Sequence, residues 1–125
     1  MNITLKSIPH DQQRYETVGD WIIDDNGDIT ILVSDMGNED YNFLVALHEL
    51  VEVKLCIARG IRQEDVDAFD IAFEERRKEG NEDEPGDDPE APYRREHFFA
   101  TNVERLMADQ LGVDWKAYGD AVYAL

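Results

Sequence analysis

The sequence predicts an α+β fold: an N-terminal β-hairpin, with a short edge strand ahead of it, packed on about four helices around one central buried helix. Three observations carry this. Asp25-Asn26-Gly27 stands between two runs rich in β-branched residues, and Asn-Gly is a strong hairpin signal because both residues tolerate positive φ. Residues 38–60, NEDYNFLVALHELVEVKLCIARG, are apolar in almost every helical direction except one polar stripe, the pattern of a buried helix. Beyond them, apolar residues recur at helical spacing in two further stretches.

Taken in order, Ile3, Leu5 and Ile8 alternate before Pro9 and read as an edge strand or an arm on the core. His10 follows in a polar setting and is expected in a surface loop. The hairpin runs from Thr17 to Asp24 and from Asp28 to Ser34, with Trp21, Ile23, Ile29, Ile31 and Val33 on its buried face. Asn38 is placed to cap the central helix, with Glu39 and Asp40 in its first turn and Gly60 as its stop. A second helix is expected over Gln63 to Lys78, with Val66, Phe69 and Phe73 inward. The stretch 81–92, NEDEPGDDPEAP, is an acidic Pro-rich loop, read as a solvated connector or as a lid, the connector being the simpler role. Arg94 to Leu111 forms a third helix with Phe99, Val103, Leu106, Met107 and Leu111 as its apolar face. Glu96 points toward the middle of that face, and His97 and Glu104 share its border with Ala100. Asp114 caps a last short helix that closes the core through Trp115, Tyr118, Val122, Tyr123 and Leu125.

The length of 125 residues suits one domain, 1–125, with one core. The net charge of −17 argues against direct nucleic-acid binding, which needs Lys and Arg to neutralise phosphates, and against docking on an anionic membrane. It accommodates a bound cation, a basic protein partner or an imitation of the charge of DNA; a homodimer is a further expected state. The single cysteine, Cys56, cannot form an intrachain disulfide and suits a reducing cytoplasm. Set among apolar residues, it reads as a small buried hydrophobe, with a lesser role as ligand left open. With no signal-like N-terminus and no apolar run near the ~20 residues that span a bilayer, a soluble cytoplasmic protein is expected.

The chemistry centres on His48-Glu49-Leu50-Val51-Glu52. Residues i and i+4 stand above one another on a helix, so His48 and Glu52 can offer an imidazole nitrogen and a carboxylate to one cation. Glu49 lies alongside, within reach of a water on that cation. An imidazole in the set favours Zn first, with Mn, Fe or Ni as other candidates.

HELVE, preceded by the strand-like ILVS and followed on a later helix by EHFFATNVERLM, resembles the core of the small zincin-type metallopeptidases, whose signature is HExxH. The resemblance implies a third ligand on the later helix, at His97, three residues before Ala100. It makes Glu49 the general base that takes a proton from a metal-polarised water, attacking an amide or phosphoryl substrate of a peptide or small molecule. Glu52 stands where that family has its second His, and His97 where it often has Glu, so two His and one carboxylate are retained with two positions exchanged. Asp70 and Glu104 are then candidates to orient the ligand imidazoles. The complete chain also resembles small proteins encoded by phages and prophages, through HELVE, LC, VDAFD, EPGDDP, APY and GVDW, a likeness that implies no activity.

A competing resemblance uses the carboxylates differently. Glu49-x-x-Glu52 with Asp67-x-x-Asp70 is similar to the paired acidic motifs of the all-α nucleoside triphosphate pyrophosphatases of the MazG type, which implies Mg²⁺ held by oxygen ligands. Asp67, Asp70 and Glu74 fall near one stripe of the second helix, as that reading requires.

Overall fold

In the computed structural model, which describes residues 1–125, a three-stranded sheet packs against four helices. The strands are β1 (Ile3–Ile8), β2 (Gly19–Ile23) and β3 (Ile29–Ser34); the helices are α1 (Glu39–Ala58), α2 (Gln63–Glu75), α3 (Arg94–Leu111) and α4 (Trp115–Tyr123). The sheet order is β1-β3-β2, with β3 antiparallel to β2 and parallel to β1. Gly27, at φ +80°, turns the hairpin, and Trp21 faces Ile31 across it. Trp21, Ile29, Ile31 and Val33 are buried as alternation requires, whereas Ile23 is half-buried. The outer edge of β2 is sealed by the Gln63 side chain, which accepts from Ile23 N (2.9 Å) and donates to Trp21 O (3.2 Å). His10 is less free than a surface loop implies: its ring nitrogens meet Ser34 Oγ at 2.8 Å and Glu16 at 2.9 Å.

Asn38 caps α1 by accepting from Tyr41 N. Only part of α1 is enclosed. Leu44, Val45, Val53 and Cys56 are buried together with the polar residues His48 and Glu52, while Phe43 and Ile57 face out. A chain this short has too few elements to cover a 20-residue helix on every side. Cys56 lies in the apolar core, where burial pushes its thiol up to about 12.

Two helices depart from expectation. α2 ends at Glu75 rather than Lys78, because Arg77 turns aside to pair with Glu74 and to donate to the carbonyls of Asn81 and Asp83. α3 has the expected bounds but is turned about its axis: Glu96, His97, Ala100, Glu104 and Ala108 are buried, Val103 and Met107 are half-buried with Met107 packed on the core, and Phe99, Leu106 and Leu111 are exposed. Ala100 and Ala108 are small enough to let α1 and α3 approach closely, and the ionisable residues between them satisfy one another. No helix is long and apolar enough to cross a membrane.

Candidate metal centre

α1 and α3 bring three donor atoms to one point. His48 Nε2 lies 3.1 Å from Glu52 Oε2 and 3.2 Å from His97 Nδ1, and His97 Nδ1 lies 3.2 Å from Glu52 Oε2. Tetrahedral Zn with bonds of 2.0–2.1 Å places its ligands about 3.3 Å apart, close to this triangle. All three residues are buried.

Hydrogen bonds on the far side of each ligand fix which atom faces inward. His48 Nδ1 is 2.7 Å from Glu104 Oε1, so an N–H there donates outward and the Nε2 lone pair points in. His97 Nε2 is 3.2 Å from Asp87 Oδ1 and 3.2 Å from Glu84 Oε2, which leaves its Nδ1 lone pair facing the same point. Glu52 Oε1 accepts from Trp21 Nε1 at 3.0 Å, so Oε2 alone is available. With both rings neutral, three lone pairs converge with no proton between them, an arrangement that could hold a cation.

In the absence of a metal, protons serve instead. Burial opposes a charge on His48, but Glu104 and Glu52 outweigh it and hold its pKa well above the usual imidazole range. Burial likewise opposes charge on His97, and Asp87, Glu52 and Glu84 together push it up to about 12. Burial raises Glu52, yet the two imidazoles overcome that and lower it to about 2. The same donor set could hold either protons or a divalent ion, and the two would compete for it.

Glu49 flanks the triangle and takes part in none of its hydrogen bonds. Burial, reinforced by the charge of Glu52, holds its pKa well above the carboxylate range. Its space is made by Gly19, where a Cβ would fall 2.5 Å from Glu49 Oε1. Both residues line a cavity of about 650 Å³ that also contains His48, Glu52 and His97.

The remaining candidates are placed differently. Glu104 meets an imidazole directly. Asp70 does not; it accepts from Tyr15 Oη (3.0 Å) and from Tyr93 Oη, and burial raises it to about 7. Asp67 is held by Arg14, which also grips Asp20. Glu96 is buried but pairs with Arg59, away from the triangle. Neither Asp67 nor Asp70 shares a hydrogen bond with Glu49 or Glu52.

Sequence reasoning missed several supports: Trp21, Gly19, Asp87, Glu84 and Gly86. The last four lie on loops or a strand start, and nothing in helical spacing points to them. The acidic loop is part of the centre, since Pro85–Asp87 forms a 3-10 turn over His97. Gly86 is buried there, and a Cβ on it would fall 2.2 Å from His97 Cγ, so its lack of a side chain is what lets the turn lie on the ring. The solvated-connector role is therefore too small for this loop. No protein-family description, curated protein or solved structure matches this chain.

Proposed function

We propose that the protein holds one divalent transition-metal ion, Zn first, through His48, Glu52 and His97, and is a metal-dependent hydrolase with Glu49 as general base. The observation that supports this most is the convergence of three buried donor atoms within 3.2 Å of one another, each oriented by an outer hydrogen bond. An ion held there supplies Lewis acidity, lowering the pKa of a water and polarising a substrate carbonyl or phosphoryl oxygen. Glu49, raised by burial and free of hydrogen bonds to the triangle, takes up the proton and can return it to the leaving group. Glu104 and Asp87 hold the imidazoles in the required tautomers, and Trp21 keeps Glu52 to a single inward oxygen.

The cavity walls favour an amide over a phosphoryl substrate. Asp20, Glu49, Asp67, Asp70, Glu74 and Glu84 line it, and Arg77 is its sole Lys or Arg. That arginine is already committed to Glu74 and to two loop carbonyls. A nucleoside triphosphate would meet uncompensated negative charge, which counts against the pyrophosphatase reading.

Metal content of tag-free protein, measured by mass spectrometry, tests the reading. About one equivalent in the wild type and none in His48→Ala is expected, whereas metal in neither removes it. Glu49→Gln tests the catalytic half: it is expected to keep its metal and to lose turnover of amide substrates by about 10²–10⁴-fold. Turnover at the wild-type rate would leave a binding protein rather than a hydrolase.

A further inference from the structure

The acidic loop brings one more carboxylate to the centre than the imidazole of His97 can use. A single N–H at His97 Nε2 faces two acceptors at 3.2 Å, Asp87 Oδ1 and Glu84 Oε2. Asp87 is fully committed: its other oxygen accepts from Glu84 N at 2.9 Å, closing the turn. Glu84 faces Asp87 across the capping box of that turn. Its side chain is 53% exposed, against 8% or less for His48, Glu52 and His97, and it offers an oxygen within 4.8 Å of a nitrogen on each imidazole. The backbone around it is pinned: Arg77 grips the carbonyls of Asn81 and Asp83 on one side, and Gly86 lies against the His97 ring on the other. A half-exposed carboxylate there can pivot while Asp87 keeps the turn closed through Glu84 N.

We propose that Glu84 is a displaceable further ligand of the metal centre, closing the site from the acidic loop and leaving it when substrate arrives. Asp87 alone then keeps the His97 tautomer, so departure of Glu84 opens a coordination position without loosening the other three ligands. The exchange is one for one: a bond from the ion to Glu84 breaks as a bond to the incoming oxygen forms. This inference rests on the metal reading above.

Co²⁺ loaded into the full-length protein gives a readout independent of turnover, because its visible absorption reports coordination number and ligand type. Glu84→Gln is expected to change that spectrum while Co²⁺ stays bound, and to bind acetohydroxamate about ten-fold more tightly than the wild type. Glu82→Gln, the same charge change two residues away, is expected to match the wild type in both. Identical spectra and affinities in the wild type and Glu84→Gln would overturn the role of Glu84 while leaving the centre standing. Equal effects of the two substitutions would overturn it as mere loop charge. Failure of all three proteins to take up Co²⁺ would remove the centre and the latch together. Because Glu84 is half-exposed and the turn is also closed through Asp87, the substituted chain is expected to fold; Glu84→Ala provides a second variant with the same expected outcomes.

Discussion

The sheet and the α1–α3 interface bury their residues by opposite rules. On β2 and β3 the buried side chains are chiefly apolar, Trp21, Ile29, Ile31 and Val33, as the hydrophobic effect dictates, and the two polar ones among them, Asp20 and Ser34, are bonded to Arg14 and Gln13. On α3, Glu96, His97 and Glu104 are inside while Phe99 and Leu106 face solvent. Hydrocarbon transfer cannot account for that second arrangement, since burying an ionisable group is unfavourable unless it is paired. What compensates at α3 is a closed set of partners: His48 with Glu104, His97 with Asp87 and Glu52, Glu96 with Arg59. The difference separates a part of the molecule held by hydrocarbon burial from a part held by paired ionisable groups, the part on which the proposed function rests.

Substitutions can break that contrast, and the largest expected effect is at the triangle. His97→Ala removes one of its three donors and is predicted to abolish stoichiometric metal, as read by mass spectrometry, while the sheet stays folded by far-UV circular dichroism. Ile31→Ala, at a fully buried sheet position, is predicted to cost about 2–5 kcal/mol in urea unfolding, with metal stoichiometry unchanged in the folded fraction. Glu104→Gln keeps the shape of the partner of His48 but weakens its hold on the N–H; a loss of about 10–100-fold in metal affinity is predicted by competition with a chelator. Leu106→Ser, on the exposed face of α3, is predicted to shift stability by no more than about 0.5 kcal/mol, which would confirm that this side chain lies outside the core.

The metal-free protein sharpens the comparison through pH. His97 binds its proton more tightly folded than unfolded, so its contribution is complete below about 6.5 and fades as pH rises toward about 12. Asp70, raised from 3.8 to about 7 by burial, acts in the same direction at lower pH. Glu52, lowered from 4.5 to about 2, contributes above its unfolded value and is lost only in strong acid. Thermal unfolding is therefore predicted to show falling stability from about pH 6.5 to about pH 9 without metal. With Zn bound the slope should reverse, because the ion displaces those protons.

Much of this was legible in the sequence, for reasons that differ by element. Asn26-Gly27 marks the hairpin because the turn has few chemical solutions, and Asn38, Gly60, Gly112 and Asp114 bound their helices through local capping chemistry. His48 and Glu52 were legible as a pair because four residues on a helix is a fixed geometry. The inward face of α3 was not: hydropathy points to Phe99 and Leu106, and only the partner residues on α1 and the acidic loop reverse the choice. Trp21, Gly19 and Asp87 were invisible for the same reason, each acting through a residue that is distant in sequence or on an irregular segment. The bounds of α2 failed because Arg77 belongs to the loop it anchors rather than to the helix whose spacing it continues.

Anomalous diffraction at the zinc absorption edge, from crystals of protein purified without a metal-affinity tag and supplied with Zn²⁺, tests the central claim most directly. The account predicts one ion within about 2.0–2.2 Å of His48 Nε2, Glu52 Oε2 and His97 Nδ1. A map with no anomalous peak between those atoms, the two imidazoles joined only through a proton to Glu52, would contradict it.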